Sequence, residues 1–188
     1  MRYTVTPCSL EGVLLIDTEY FRDERGFFIE NWHRRNFAEL GLDVDFVQDN
    51  HSGSAHGVLR GLHYQDMTAP MGKLVRCTTG RVLDVAVDLR VGSPTFAGWV
   101  AEELSEQNMR QLWCPPGFGH GFLTLSDTAQ VQYKCTNYYT PSAEGSIAWN
   151  DPDLAIEWPL SKPQLSAKDQ SAPSLREYLK NPAFRYPV

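Results

Sequence analysis

The ten residues at 81–90, RVLDVAVDLR, alternate between two sets of side chains. One set is Leu83, Val85, Val87 and Leu89, and the other is Val82, Asp84, Ala86 and Asp88. A period of two predicts a β-strand with one continuous apolar face. The run KLVRC at 73–77 precedes it and is joined to it by TTG. The segment from Lys73 to Leu89 is therefore predicted to be a hairpin with Gly80 in its turn.

Similar short runs, separated by turn residues, extend over the rest of the chain. They are VLLIDTEYF (13–21), GFFIENW (26–32), DFVQDN (45–50), GVLRGLHYQ (57–65), GWVAEELS (98–105), RQLWCP (110–115), HGFLTLS (120–126), AQVQYKCTNYY (129–139) and GSIAWN (145–150). Many short strands with frequent Gly and Pro are typical of sandwiches and barrels. We therefore predict an all-β fold, a β-sandwich of the jelly-roll or cupin type with a few short peripheral helices.

Two segments favour a helix. RRNFAELG (34–41) would place Phe37 and Leu40 inward and end at Gly41. APSLREYLKN (172–181) is the second candidate. A chain of 188 residues suits one domain. We expect residues 1–188 to form a single cupin-like domain, with a peripheral C-terminal tail from about 174 to 188.

Composition argues against several classes of partner. The net charge is −6 and the pI is about 5.3, whereas a nucleic-acid-binding surface is basic. The N-terminus MRYTVTPCSLEG lacks the apolar core of a signal peptide, and no apolar run approaches the ~20 residues of a membrane helix. The four cysteines form no CxxC motif, and three of them lie inside apolar runs. We therefore predict buried free thiols and a reducing compartment. We expect a cytoplasmic protein without a nucleic-acid or membrane partner.

Several familiar motifs are missing. The chain has no GxGxxG of a Rossmann site, no P-loop around Gly72-Lys73 and no GxSxG elbow. A metal-binding cupin would carry two histidines one residue apart, but the matching stretch is LHYQ, with Gln65 in the second position. A site that uses His63, His120 and a carboxylate stays open as an alternative, although we expect no metal and no cofactor.

Polar residues with catalytic chemistry cluster in two glycine-rich segments. In RGLHYQ (60–65), an inward His63 would titrate near neutrality and could abstract a proton. Strict alternation places Arg60 on the opposite face, but Gly61 could permit a bulge that redirects it. His120 lies between two glycines in GFGHGF (117–122), where a ligand can approach the backbone closely. Tyr133 alternates with Val131 and Cys135 and is predicted to point inward.

Together these segments resemble one enzyme family. FRDERGFF, QDNHS, GVLRGLHYQ, GKLVRC, DVAVDLR, SPTF, LWCPPGF, HGFLTLSD, WNDPDL and LSAKD occur in order between about residues 13 and 173. They are similar to the dTDP-4-dehydrorhamnose 3,5-epimerase family. The resemblance implies an isomerase that inverts C3 and C5 of dTDP-4-dehydro-6-deoxy-D-glucose through an enolate. The product would be dTDP-4-dehydro-L-rhamnose, in dTDP-L-rhamnose biosynthesis.

The resemblance also implies residue roles. His63 matches the general base, Tyr133 the general acid and Asp169 the carboxylate that orients the histidine. The substrate-binding positions are Arg25, Glu30, Gln48, Asn50, Arg60, Lys73, His120, Glu144 and Lys168. Lys73 is our choice for stabilising charge on O4, with His120 assisting. The family forms homodimers in which the partner's N-terminal segment completes the nucleotide site, and Arg25 and Glu30 would be those contributions.

Some alternatives stay open at this point. Asp84 lies on the polar side of its strand and could orient His63 instead of Asp169. The family carries a polar residue where Met71 stands, beside the expected sugar, so single epimerisation at C3 or C5 is a second reading. A metal-dependent cupin enzyme and a non-catalytic sugar-binding cupin are two further alternatives for the function.

Overall fold

A computed structural model describes residues 2–187, in which strands predominate. The strands are β1 Tyr3–Pro7, β2 Leu14–Thr18, β3 Tyr20–Asp23, β4 Gly26–Ile29, β5 Gln48–Ala55, β6 Leu59–Gln65, β7 Lys73–Thr79, β8 Arg81–Asp88, β9 Trp99–Ser105, β10 Gln111–Cys114, β11 Phe118–Thr124, β12 Thr128–Cys135 and β13 Glu144–Ser146. The helices are α1 Arg34–Glu39, α2 Ala167–Gln170 and α3 Leu175–Tyr178, with a 3₁₀ turn at Pro141–Ala143.

The strands form a sandwich of two antiparallel sheets. One sheet has six strands in the order β1-β2-β10-β7-β12-β5, and the other has five in the order β13-β6-β11-β8-β9. A separate hairpin pairs β3 with β4. Apolar side chains from both sheets, among them Val75, Val82, Leu112, Phe122 and Val131, fill the space between the sheets. The predicted all-β sandwich of the jelly-roll type, with only short helices, is confirmed.

The predicted hairpin from Lys73 to Leu89 is wrong. Both strands exist and Gly80 turns between them at φ +73°, but β7 pairs with β10 and β12 whereas β8 pairs with β11 and β9. The chain therefore crosses from one sheet to the other at Gly80. The turn is tight, since a Cβ on Gly80 would lie 2.1 Å from the carbonyl oxygen of Thr128.

The physical reason for this crossing is that β8 is buried on both faces. Val82 and Ala86 face the core between the sheets. Val85, Val87 and Leu89 pack in a second cluster beneath the C-terminal segment. A two-stranded hairpin would cover only one of these faces, so the second strand gains more burial as an interior member of the five-stranded sheet.

The C-terminal segment covers the outer face of the five-stranded sheet. Leu175, Tyr178 and Phe184 are 3%, 5% and 1% exposed. The Tyr178 hydroxyl donates to the Leu89 carbonyl at 2.7 Å, and Arg185 bridges to Val91. Removal of these side chains would expose the apolar outer face of β8 to water.

The predicted helices form, but they are shorter than predicted. α1 buries Phe37 at 1% exposure, whereas Leu40 is 40% exposed and the prediction that it points inward is wrong. The helix ends at Glu39, and Leu42, just past Gly41, fills the core instead. α3 has a capping box between Ser174 and Glu177.

The thiol prediction holds for three of the four cysteines. All four are free; Cys77, Cys114 and Cys135 are buried, and Cys8 is half-buried. Over residues 2–187, none of the helices has the length and apolar character that crossing a bilayer requires.

Candidate active site

Two cavities that share lining residues hold most of the predicted site residues. The first, of about 440 Å³, is lined by Ser52, Val58, Leu59, Arg60, His63, Lys73, His120, Phe122, Tyr133, Gln164, Leu165, Ser166 and Asp169. The second, of about 380 Å³, is lined by Gln48, Asn50, His51, His63, Tyr64, Gln65, Met71, Lys73, Tyr133, Tyr139 and Glu144. His63, Lys73 and Tyr133 line both cavities, so these three side chains stand where the two spaces meet.

A bulge in β6 brings Arg60 and His63 to the same cavity. His63 lies opposite His120 on β11, whereas Arg60 lies opposite Phe122, so β6 carries one extra residue between the two pairs. Gly61 has φ +132°, and a Cβ there would lie 2.6 Å from Cα of Gly121. The predicted bulge at Gly61 is therefore present. β6 and β11 approach each other so closely here that Gly61 and Gly121 leave no room for a side chain.

His63 is paired with Asp169. Its Nε2 lies 2.5 Å from Oδ1 of Asp169, which is 4% exposed at the start of α2. A carboxylate only accepts hydrogen bonds, so Nε2 carries the proton and Nδ1 is the basic atom. Burial lowers the pKa of His63 and Asp169 raises it, with a net lowering. His63 is therefore neutral and able to accept a proton at neutral pH.

Ser166 fixes the orientation of Asp169. The Ser166 hydroxyl donates to Oδ2 of Asp169 at 2.8 Å and accepts from the Asp169 backbone N–H at 3.1 Å. Ser166 is also the N-cap of α2. Oδ1 is thereby left for His63. Sequence analysis named Asp169 but missed Ser166, although a serine three residues before an aspartate in LSAKD is an N-cap signal.

His120 is paired with a different carboxylate, Asp84. Nε2 of His120 lies 3.0 and 3.1 Å from the two carboxylate oxygens of Asp84 on the neighbouring strand β8. Asp84 is 0% and His120 is 6% exposed. The two candidate partners for His63 are thus separated: Asp169 contacts His63, and Asp84 contacts His120.

Tyr133 and Lys73 project from neighbouring strands of the six-stranded sheet. The Lys73 ammonium lies 6.0 Å from the centre of the Tyr133 ring. Burial raises the pKa of the Tyr133 hydroxyl, so this group is protonated at neutral pH. Burial lowers the pKa of Lys73. Lys73 lies opposite Cys114 and Cys135 in the two adjacent strands, so thiols rather than carboxylates flank it.

Arg60 is held at the wall of the first cavity. Its Nε donates to Oγ of Ser54 at 3.1 Å and one terminal nitrogen donates to the Gly53 carbonyl at 3.1 Å. The guanidinium is not paired with a carboxylate in residues 2–187, so its charge is available to an anionic ligand.

Amide and charged groups line the second cavity. Nε2 of Gln48 donates to Oδ1 of Asn50 at 3.1 Å, and Oε1 of Gln48 accepts from the Tyr139 backbone N–H at 2.9 Å. Glu144 accepts from the Tyr139 hydroxyl at 3.0 Å and forms an ion pair with Lys168. Tyr139 is a wall residue that sequence analysis missed. Met71 lies in this cavity as well.

Arg25 and Glu30 are not at either cavity. Arg25 lies in the turn of the β3–β4 hairpin, 85% exposed at its side chain and paired with Asp23. Glu30 accepts a hydrogen bond from the Tyr3 hydroxyl at 2.6 Å. The other ten predicted site residues line the cavities or, for Lys168, bind a residue that does. From Arg2 to Pro187, no three His, Cys, Asp or Glu side chains come together as metal ligands would.

Comparisons with known proteins identify the family. The model of the dTDP-4-dehydrorhamnose 3,5-epimerase family matches residues 7–177. Proteins of that name from Salmonella typhimurium and Pseudomonas aeruginosa are each 55% identical, covering 93% and 88% of this chain and 97% and 92% of their own. A dTDP-6-deoxy-D-glucose-3,5-epimerase from Legionella pneumophila, solved with dTDP-4-keto-L-rhamnose, is 46% identical with a TM-score of 0.95 over 100% of both chains. The chain therefore belongs to the dTDP-4-dehydrorhamnose 3,5-epimerase family.

Proposed function

We propose that the protein epimerises C3 and C5 of dTDP-4-dehydro-6-deoxy-D-glucose, forming dTDP-4-dehydro-L-rhamnose for dTDP-L-rhamnose biosynthesis. The observation that carries the proposal is the meeting of His63, Lys73 and Tyr133 where the two cavities join. A neutral histidine, a protonated tyrosine and a lysine at one point supply a base, an acid and a donor for an oxyanion. The relatives at 55% identity bear the name of a double epimerase.

His63 is the general base. The C4 ketone acidifies the protons on C3 and C5, and removal of either gives an enolate. Nδ1 of His63 accepts that proton, and Asp169 stabilises the imidazolium that forms because its carboxylate lies 2.5 Å from Nε2. Ser166 keeps the carboxylate in place during the transfer.

Tyr133 is the general acid. Inversion requires that a proton return to the face opposite the one from which it was removed. Tyr133 comes from the six-stranded sheet, whereas His63 comes from the five-stranded sheet, so the two groups approach the junction from different walls. Because its hydroxyl is protonated at neutral pH, Tyr133 can donate.

Lys73 stabilises the negative charge that develops on O4, with His120 assisting. Both side chains line the first cavity. A preorganised cation that is shielded from bulk water is most effective at the position where charge appears. Both epimerisations pass through an enolate oxygen at C4, so one donor site serves both carbons.

The nucleotide portion positions the sugar. Arg60 suits a diphosphate because its guanidinium carries planar donors. Gln48, Asn50, Glu144 and Lys168 supply polar contacts in and beside the second cavity. Binding energy from the distant nucleotide can then orient the reacting ring.

A second copy of the chain completes the nucleotide site. The β3–β4 hairpin exposes Phe21, Phe27 and Phe28 at 68%, 55% and 66%. Three exposed aromatic rings on one two-stranded element favour contact with another protein surface. We place Arg25 and Glu30 in the partner's site in a homodimer with exchanged N-terminal segments. Analytical ultracentrifugation should give a dimer; a monomer with full activity would contradict this arrangement.

The reaction itself requires no cofactor. It moves protons and changes no oxidation state, so neither a nicotinamide nor a metal is needed for its balance. The free thiols support a reducing compartment, and we place the protein in the cytoplasm. We further propose that residues 1–188 act as one domain, without a nucleic-acid or membrane partner.

Product analysis tests the proposed function. Protein treated with EDTA is incubated with dTDP-4-dehydro-6-deoxy-D-glucose, and the sugar is followed by proton NMR. We expect conversion to the L-configured 4-keto sugar at a rate unaffected by EDTA. Absence of conversion would refute the epimerase proposal, and activity restored only by a metal would favour a metal-dependent cupin.

A further inference from the structure

Two irregular loops contribute to one wall of the second cavity. The first loop, residues 66–72, joins β6 to β7 and carries Met71. The second loop, residues 136–140, follows β12 and carries Tyr139. Neither loop lies in a strand or a helix. The backbone N–H and C=O groups of both loops therefore need partners outside the strand ladders.

One buried side chain, that of Gln65 at the end of β6, supplies such partners to both loops. Gln65 is 5% exposed. Its Nε2 donates to the Ala69 carbonyl at 2.8 Å and to the Tyr138 carbonyl at 3.2 Å. Its Oε1 accepts from the Thr140 N–H at 2.7 Å. A single amide thus joins the first loop to the two backbone groups that flank Tyr139.

The three partners explain why this position carries glutamine. Two carbonyls only accept and one N–H only donates, so the side chain must offer two N–H donors and one acceptor on the same planar group. A carboxylate in the same place would set an oxygen against both carbonyls. An apolar side chain of similar length would leave all the bonded backbone groups unpaired, and buried unpaired groups are costly.

The two loops are also joined directly. The Gly72 N–H donates to Oγ1 of Thr136 at 2.8 Å, and the Thr136 N–H donates to the Gly72 carbonyl at 3.0 Å. These bonds lie next to Met71 in the chain. Gln65 therefore holds the other side of the wall, where Tyr139 stands.

Tyr139 in turn contacts two polar groups of the second cavity. Its backbone N–H donates to Oε1 of Gln48 at 2.9 Å, and its hydroxyl donates to Glu144 at 3.0 Å. We assign both of these residues to substrate binding. A displaced Tyr139 backbone would therefore disturb the wall and two of the groups that hold the substrate.

We propose that Gln65 is a positioning residue that fixes the loop 136–140 to the loop 66–72 and so sets the wall of the second cavity against which the substrate binds. Gln65 acts through Tyr139 and takes no part in proton transfer. The effect on substrate binding rests on the proposed epimerase function, whereas the effect on the loops does not.

Amide hydrogen exchange, followed by NMR, tests the loop contacts without substrate. In the wild-type protein the Thr140 amide should be protected although it lies outside the strands, because it donates to a buried oxygen. In Gln65→Met the exchange of this amide should be at least about tenfold faster. An unprotected Thr140 amide in the wild-type protein, or an unchanged rate in the variant, would overturn the proposal.

Steady-state kinetics test the consequence for the substrate. Gln65→Met should raise KM by about tenfold and change kcat by less than about twofold, because a displaced wall binds the ground state and the transition state equally less well. Gln65→Glu keeps the acceptor for Thr140 and loses both donors, so it should also raise KM and replaces Gln65→Met if that variant does not fold. A lower kcat with an unchanged KM would contradict the positioning role.

Asn108→Leu is the matched control. Asn108 is also an amide with three backbone partners, since it accepts from the N–H groups of Ser105 and Arg110 and donates to the Glu103 carbonyl. It lies between β9 and β10 and lines neither cavity. This variant should lose thermal stability but keep the wild-type KM.

An equal rise of KM in the Gln65 and Asn108 variants would show that Gln65 acts only through stability and would overturn the proposal. Protection of the Thr140 amide in a wild-type protein without epimerase activity would support the loop contacts and refute the epimerase function alone.

Discussion

The two histidine–carboxylate pairs of the cavity use the same groups in different settings. His63 has 28% of its side chain exposed, and its carboxylate comes from a four-residue helix 106 positions later in the chain. His120 has 7% exposed, and its carboxylate comes from the next strand of the same sheet. The first pair suits a group that gains and loses a proton during turnover. The second suits a ring whose orientation stays fixed.

The comparison relates exposure and the origin of the carboxylate, more than residue type, to the roles proposed for the two histidines. A base must reach the substrate and change its charge, which a partly open site at the cavity junction allows. A group that only orients the substrate works best when it cannot reorganise, which a position in the middle of a sheet provides. The predictions below test the proposed role of His63 and of the groups that act with it.

The largest effect is expected for His63→Ala. Without a base at the junction, kcat should fall by about 10³-fold or more, while affinity for dTDP, measured by calorimetry, should change little because the nucleotide contacts remain. Near-normal turnover in this variant would exclude His63 as the base.

Asp169→Asn should lower kcat by about 100-fold, since the imidazolium loses its counter-charge. The pH profile gives a second readout. His63 must be unprotonated, and burial already lowers its pKa below the ordinary value of 6.5, so wild-type kcat/KM should fall only below that pH. Asp169 raises the pKa of His63, so its loss should move the acid limb to still lower pH. If the acid limb of the profile moved to higher pH, the pairing of Asp169 with His63 would be contradicted.

Tyr133→Phe should impair proton return more than proton removal. Exchange of the protons at C3 and C5 should persist because His63 still removes them, whereas inversion should slow by about 100-fold because the general acid is missing. The measurement compares deuterium entry with product formation. Equal rates and unchanged stereochemistry at C5 would exclude Tyr133 as the acid.

The smallest effect is expected for Ser166→Ala. Both Ser166 and Ser174 cap four-residue helices with the same backbone geometry and the same bond to the N3 amide. Either substitution should cost about 1 kcal/mol of local stability. Only Ser166→Ala should also lower kcat, by about fivefold, because Asp169 loses a donor, and Ser166→Thr should restore it. Equal kinetic losses in Ser166→Ala and Ser174→Ala would show that Ser166 acts only as a cap.

The sequence predicted local features well and long-range pairing poorly. Alternation located β8 and most other strands because each strand carries its own pattern. The same pattern cannot say which strands pair: it predicts a hairpin from Lys73 to Leu89, although these two strands lie in different sheets. The four-residue helix α2 was too short to show a helical period. Its presence is what brings Asp169 to His63.

Prediction of the site has the same limit: local patterns can be read from the sequence, but long-range contacts cannot. His63, Tyr133 and Arg60 could be placed at a cavity from their strands and from the glycine at position 61. The choice between Asp84 and Asp169 could not be made, because both are acidic residues at plausible positions and only the folded chain separates them. Arg25 and Glu30 lie outside the two cavities that the other site residues line, in keeping with the proposal that an exchanged segment completes the site of a second copy.

Deuterium entry from heavy water tests the central claim most directly. The wild-type protein, without added metal or NADPH, is incubated with dTDP-4-dehydro-6-deoxy-D-glucose and observed by proton NMR. Proton transfer through a shared C4 enolate predicts loss of the proton signals at both C3 and C5. Loss at only one carbon would contradict double epimerisation and direct attention to Met71 in the second cavity. Binding without any exchange would contradict the acid–base assignment of His63 and Tyr133 altogether.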